Sequence, residues 1–130
     1  MEILIKRLDD NAKLPDYSSE AGPEIDIYSL YDVTVEPDSR LVVSTGVAMA
    51  LPIGYIGLLW NKHGVIVDEP IQITPAIFDS GHRDEIKVEI INQGSESVSF
   101  AAGDKIAQLL IKKVERPHLI EAEDLSEPAE

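Results

Sequence analysis

The 130-residue chain contains no cysteine. Disulfides and thiolate chemistry are therefore excluded, and a cytoplasmic setting is expected, in the host cytoplasm if the chain is viral. Long apolar runs are also missing, since no stretch approaches the roughly 20 apolar residues of a membrane helix. The opening residues, MEILIKRL, mix charged with apolar types from position 2 and do not follow the plan of a signal peptide. We therefore expect a soluble globular protein with no membrane partner.

Positive charge is scarce, because 11 Lys and Arg oppose 24 Asp and Glu, for a formal net charge of −13 at pH 7. Binding of nucleic acid requires Lys and Arg to neutralise phosphates, so a nucleic-acid partner is not expected. A polyanionic ligand would need a local basic pocket together with a divalent cation. Residues 115–130 hold six acids and one arginine, which predicts an acidic C-terminal arm outside a domain of residues 1–114.

A sustained helical stripe is absent too, and apolar residues mostly recur with the two-residue period of strands. Residues 85–90, Glu-Ile-Lys-Val-Glu-Ile, alternate without a break. About nine short strands separated by turn signals predict a single all-β domain, a sandwich, jelly roll or barrel. The candidate strands are residues 2–8, 25–29, 33–36, 40–50, 55–60, 71–74, 85–91, 96–101 and 105–114. Because many functions use such folds, function must be sought in sites.

Several short segments stand out when they are taken in order along the chain. They are IDIYS at 25–29, PIGYIG at 52–57, KHG at 62–64, FDSGHRDE at 78–85 and GDKIAQL at 103–109. Asp79 follows Gly64 by fifteen residues. In this order and spacing the segments resemble the first four motifs of the trimeric dUTP pyrophosphatase (dUTPase) family. The resemblance covers nearly the whole chain, and a chance match of all four motifs is improbable.

The resemblance implies a jelly-roll-like dUTPase barrel that assembles as a homotrimer, with each active site at a subunit interface. The first, second and fourth motifs would come from one chain and the third from its neighbour. The implied activity is hydrolysis of dUTP, or a related deoxynucleoside triphosphate, to the monophosphate and pyrophosphate with Mg²⁺ as cofactor.

Asp79 is the candidate catalytic residue. Hydrolysis of a pyrophosphate bond by water needs a carboxylate to orient and deprotonate the nucleophile, and donors with a metal for the charge on the phosphates. Asp79 lies in an Asp-Ser-Gly turn, and in the resembled enzymes this aspartate positions the attacking water. The alternative is an Asx-turn aspartate that only closes a hairpin. The surrounding motifs favour the base.

Two polar residues in predicted strands are candidate ligands. Gln108 lies in an apolar run, and an amide buried there without partners costs a few kcal/mol. The resemblance supplies a phosphate oxygen as its partner, whereas the alternative is neighbouring backbone. For Asp26 the resemblance implies support of the water shell of a Mg²⁺ that the phosphates chelate. Its alternative is an ordinary surface position in a strand.

The remaining roles also follow from the resemblance. Lys62, His63 and Gly64 are implied to contact phosphates. His82 would support the deoxyribose, and the uracil would be read near the turn at 74–78, which makes Ile77 and Phe78 candidate sugar and base contacts.

Several positions depart from the family pattern. His63 replaces a serine, His82 a tyrosine and Leu58 an arginine, and the glycine-rich fifth motif is missing from the sequence. These departures favour an alternative function, a degenerate dUTPase-fold protein that binds a nucleotide or a protein partner without hydrolysis. dCTP deaminases share the fold, and Glu89 aligns with their catalytic glutamate. Their serine and arginine partners would fall at His63 and Val67, so we reject that activity.

Overall fold

Strands make up the regular structure of residues 1–61 and 70–125, which are the residues described by the computed structural model. No helix occurs in these two ranges, so the all-β prediction is confirmed. Twelve strands are present there: β1 Leu4–Arg7, β2 Asp16–Tyr17, β3 Ile25–Tyr28, β4 Val33–Val35, β5 Ser39–Ser44, β6 Val47–Ala50, β7 Tyr55–Trp60, β8 Ile71–Ile73, β9 Ala76–Phe78, β10 Lys87–Asn92, β11 Val98–Phe100 and β12 Lys105–Lys113. Within the described part of the chain, no helix is long and apolar enough to span a membrane.

The largest sheet has five antiparallel strands in the order β2-β3-β12-β7-β9. A three-stranded sheet has the order β5-β10-β8, and two further pairs, β1-β6 and β11-β4, complete the strand pairing. Every neighbour in these sheets is antiparallel. Most neighbours are distant in sequence, so the pairing depends on long-range packing rather than on local hairpins.

The core is built from the inward faces of these sheets. In β10 the alternation read from the sequence is realised, because Val88 and Ile90 are completely buried while Lys87 is exposed. Ile27 in β3 and Leu59 in β7 supply the facing layer from the five-stranded sheet. Burying side chains of this size contributes about 1.5–3 kcal/mol each. The opposite face of the five-stranded sheet is left for other contacts.

The prediction of a single strand over residues 40–50 is wrong, because this segment contains two strands, β5 and β6. The chain breaks between β5 and β6 at Gly46, which has a φ of 75°. This left-handed conformation favours glycine, and the Gly46 N–H donates to Glu85 Oε2 at 2.8 Å. The break was hidden because apolar residues continue on both sides. The short strands β2 and β9 were not predicted, since two or three residues give no measurable period.

A β-bulge in β12 decides which side chains share a face. Lys105 lies opposite Tyr28, but Ala107 is already opposite Ile27, so one extra residue, Ile106, is inserted. Ile106 and Ala107 are both buried, in keeping with the loss of alternation at a bulge. Lys105 therefore lies on the same face as Gln108, three positions later in the sequence.

Candidate functional site

A row of side chains crosses the outer face of the five-stranded sheet. Asp26 in β3 lies opposite Gln108 in β12, and Gln108 lies opposite Trp60 in β7. At the other side of Asp26, Asp16 in β2 is its register partner. Side chains of directly opposed residues are about 4.5–5.5 Å apart at Cβ. The sheet thus brings together two of the predicted ligands, Asp26 and Gln108.

Asp26 is already engaged by two neighbours through the same oxygen. Lys105 Nζ lies 2.9 Å from Asp26 Oδ1, and Ser18 Oγ donates to that oxygen at 2.5 Å. The Asp26 side chain is only 15% exposed, so the ion pair is partly shielded from water. Asp26 is consequently not an ordinary solvated surface residue of a strand.

Tyr28 lies on the same face, two residues after Asp26. Burial raises the pKa of its phenol, and the negative charges of Asp26 and Asp16 raise it further. Lys13 Nζ lies 4.2 Å from the centre of the Tyr28 ring, a cation–π contact. Two lysines, Lys13 and Lys105, thus accompany the two carboxylates at this end of the sheet.

Gln108 is 9% exposed. Its amide makes no hydrogen bond with another described residue, so neighbouring backbone does not satisfy it there. Among the described residues, no fully buried side-chain N or O atom lacks a partner. A nearly buried amide that no other described residue binds, on a polar row, is suited to bind an anionic oxygen.

Asp79 directly follows β9, and its side chain is exposed. Asp79 Oδ1 accepts a hydrogen bond from the Gly81 N–H at 2.9 Å, and its carbonyl oxygen accepts one from the His82 N–H at 3.2 Å. This is the Asx-turn geometry considered above as the alternative. Turn formation and activation of a water are compatible, because the carboxylate stays exposed to solvent.

The other residues of the third motif divide between the two faces of β9. Ile77 is 69% exposed and lies opposite Leu58 on the outer face. Phe78 packs against the core, and its ring centre lies 4.8 Å from that of His82, with the planes tilted by 59°. Ile77 and Phe78 therefore point to opposite sides of the sheet. His82 sits against Phe78, where an aromatic ring could support a sugar.

The structure does not bring Asp79 to Asp26 and Gln108 within one chain. β9 is at the opposite edge of the sheet from β2, and Phe78 lies opposite Gly57, whereas Gln108 lies opposite Trp60. Sheet spacings put Asp79 about 13 Å along the strands and about 10 Å across them from Gln108. The predicted phosphate contacts Lys62, His63 and Gly64 lie outside the described residues.

Glu89 occupies a different sheet from these residues. It lies in β10, where Glu89 Oε1 accepts a hydrogen bond from Thr74 Oγ1 at 2.6 Å and lies 3.4 Å from Arg40 NH1. These contacts give Glu89 a structural role at the β8–β10 junction, in line with the rejection of deaminase chemistry.

The sequence reasoning gave no role to Ser18 and Lys105, nor to Lys13, Asp16 and Tyr28. Ser18 lies outside the motifs and gave no signal before β2 and β3 were paired. Lys105 lies inside the fourth motif, but a regular strand would have turned it away from Gln108. Only the bulge reveals its position beside Asp26.

The chain matches a family model described as dUTPase over residues 10–130. It is 38% identical over 128 residues to the deoxyuridine 5'-triphosphate nucleotidohydrolase of Mycolicibacterium gilvum, covering 96% of this chain and 83% of that protein. The enzyme of the same name from Corynebacterium diphtheriae is 40% identical over 128 residues, covering 96% of this chain and 84% of that protein.

Solved structures with a similar fold include two phage dUTPases. A mutant dUTPase from phage phi11 of S. aureus has a TM-score of 0.85 and 24% identity, covering 98% of this chain and all of that chain. That structure is described as revealing the coordination of a structural Mg(II) ion. The dUTPase of Staphylococcus bacteriophage 80alpha has a TM-score of 0.85 and 25% identity, covering 97% of this chain and 99% of that chain.

Proposed function

The chain belongs to the dUTPase family, and we propose that it hydrolyses dUTP to dUMP and pyrophosphate. The observation that carries the proposal is the row formed by Asp26 and Gln108, in which a carboxylate lies beside an amide that makes no hydrogen bond with another described residue. The two relatives above are named as deoxyuridine triphosphate hydrolases. Both act on the substrate class that such a row suits.

The proposed chemistry assigns a proton acceptor and a phosphate donor. The exposed Asp79 carboxylate orients a water and accepts its proton as the water attacks a phosphorus atom. The Gln108 amide donates to a phosphate oxygen and holds the triphosphate in line for attack. Phe78 and His82 form an aromatic pair against which the deoxyribose rests. Lys62, His63 and Gly64 remain proposed phosphate contacts.

The donor set fits Mg²⁺ held mainly by the substrate. No group of three or more His, Asp or Glu side chains able to hold a metal occurs among the described residues. Asp26 and Asp16 nevertheless lie opposite each other and offer hard oxygen atoms, which Mg²⁺ prefers, often through its retained waters. When bound, Mg²⁺ would neutralise charge that develops on the phosphates. Asp26 would hold its water shell.

We further propose that the protein is a homotrimer with shared sites. Asp79 and Gln108 are too far apart in one chain for a water held by the first to attack a phosphate held by the second. In addition, Leu110, Leu58 and Ile77 form a continuous apolar row on the outer face of the sheet. Ile77 is largely exposed in the single chain, and such a row is typical of a subunit interface.

One observation favours a second candidate, binding without hydrolysis. Leu58, at the position where the resemblance implies an arginine, lies in that apolar row and can make no ionic contact with phosphate. A site with fewer cations stabilises the charge of the transition state less well. The degenerate binder would retain nucleotide affinity while turnover is lost.

One assay separates the two functions. The protein is incubated with Mg²⁺ and each of dUTP, dTTP, dCTP, dATP and dGTP, and the released pyrophosphate is measured, with Asp79→Asn as the matched control. Release from dUTP that the control lacks supports the hydrolase. Tight binding of dUTP by calorimetry with no release from any nucleotide rejects it in favour of the binder. We also propose a cytoplasmic location, which this assay does not test.

A further inference from the structure

The bulge in β12 places a lysine where a regular strand would not. Without the extra residue, Lys105 and Gln108 would project to opposite faces of the sheet, because they are three positions apart. With it, Lys105 lies opposite Tyr28 on the face that carries Asp26 and Gln108. Bulges near active sites often redirect a side chain in this way.

Among the described residues, Lys105 forms one ion pair, with the partly shielded carboxylate of Asp26. Its Nζ lies 2.9 Å from Asp26 Oδ1, and the Lys105 side chain is 31% exposed. Asp26 also accepts a hydrogen bond from Ser18, so its carboxylate has a second donor besides Lys105. A flexible four-carbon chain with this exposure can move its ammonium group from Asp26 to a neighbouring anion.

The charge of the chain makes such a cation necessary for a polyanionic ligand. The net charge is −13, and a triphosphate must overcome that field when it approaches. On the outer face of the sheet, Leu58 contributes no charge. Lys13, the other described lysine at this end, lies over the Tyr28 ring. Lys105 contacts Asp26 and lies on the same face of the sheet as Gln108.

We propose that Lys105 is a shared cation, which balances Asp26 in the free protein and binds the phosphate chain of the substrate when a nucleotide is present. The proposal rests on the proposed function. It adds a phosphate-binding residue on β12 beside Gln108. Several phosphate oxygens attract the ammonium group more strongly than one carboxylate does, and its departure leaves Asp26 to the water shell of the metal.

The test measures binding rather than turnover. Calorimetry with α,β-imido-dUTP and with dUMP, both in Mg²⁺, is applied to the unsubstituted protein, Lys105→Met, Lys105→Arg and Lys112→Met. Lys112 is the matched control, since it lies on the same face of the same strand and is exposed. Its substitution changes the net charge equally.

Lys105→Met is expected to weaken binding of the triphosphate analogue about tenfold, the loss of one charged hydrogen bond, and to weaken dUMP binding less. Lys105→Arg should stay close to the unsubstituted protein, and Lys112→Met should change neither ligand. If Lys105→Met unfolds, Lys105→Gln provides a second neutral variant.

Equal effects of Lys105→Met and Lys112→Met would overturn the proposal. So would a loss that is the same for the triphosphate and the monophosphate, because that pattern indicates a structural role. The pyrophosphate assay is separate. If the protein binds the analogue through Lys105 but releases no pyrophosphate, the proposed role of Lys105 stands and the proposed hydrolase activity is refuted.

Discussion

Asp26 lies directly opposite Gln108 in the antiparallel register of β3 and β12. The pairing is specified by the core, because Ile25 and Ile27 on the other face of β3 are buried and a slip of one residue would turn them outward. Packing of apolar residues therefore fixes the relative position of two polar ones. Asp79 follows β9 at the other edge of the sheet, so this register does not fix its position relative to Asp26 and Gln108.

This separation predicts complementation between inactive variants. Asp79→Asn and Asp26→Asn chains, co-expressed in equal amounts, should form mixed trimers in which about a quarter of the sites combine both native carboxylates. The mixture should therefore release pyrophosphate faster than the sum of the two separate variants. Light scattering should give about three times the 14.3 kDa of one chain. A mixture with no gain, or an active monomer, contradicts shared sites.

Asp79→Asn should separate binding from chemistry. Asparagine has nearly the same shape and can keep the hydrogen bond from the Gly81 N–H, so the turn should survive. It cannot accept a proton from water, and general-base assistance of roughly 10²–10⁴-fold in kcat should be lost. Calorimetry with α,β-imido-dUTP and a pyrophosphate assay on the same sample check this. A variant with near-normal turnover would show that another group activates the water.

Much of the fold could be predicted because burial follows a simple period. The alternation around Val88 and Ile90 indicated β10. The prediction of strands from apolar residues failed where the chain bends inside an apolar segment, as at Gly46. The bulge at Ile106 was equally invisible, since Ile106 to Leu109 reads as one continuous strand. Lys105 was missed for that reason.

The site could be predicted only in part. Asp26, Asp79 and Gln108 were identified through the motifs, but no spacing along a single chain indicates that Asp79 is remote from Gln108. That relationship depends on strand order, with β9 and β3 separated by β7 and β12. Ile77 and Phe78 were both predicted as sugar and base contacts, and their opposite directions became visible only once β9 was seen to be a strand.

Gly46 and Gly54 form a matched pair for testing the turn after β5. Both have positive φ, 75° and 91°, so alanine is strained at either position, by about 1–2 kcal/mol. A Cβ at Gly46 would also lie 2.9 Å from Ala12 Cβ and 3.2 Å from Leu30, whereas a Cβ at Gly54 meets nothing within 4 Å. Gly46→Ala should therefore cost about 1–3 kcal/mol more in free energy of unfolding. Equal losses in urea unfolding would mean that Ala12 and Leu30 move aside at no cost.

The raised pKa of Tyr28 predicts that the free energy of unfolding depends on pH in the alkaline range. Its pKa in the folded protein is raised above 10.0, first by burial and then by Asp26 and Asp16, while the unfolded chain keeps the ordinary value. A raised pKa means that the folded state holds the phenolic proton more tightly. The associated stability is fully present below pH 10 and is lost as the pH rises through the folded-state pKa.

Tyr28→Phe should therefore lose less free energy of unfolding between pH 9 and pH 11 than the unsubstituted protein does, because the phenol has been removed while the cation–π contact with Lys13 can remain. The measurement is urea unfolding at fixed protein concentration across that range. Tyr31→Phe is the control, since Tyr31 is 56% exposed. The variants differ only at the substituted tyrosine, so the difference between their pH curves carries the result. If Tyr28→Phe and Tyr31→Phe follow the same pH curve, burial together with Asp26 and Asp16 does not raise the pKa of Tyr28.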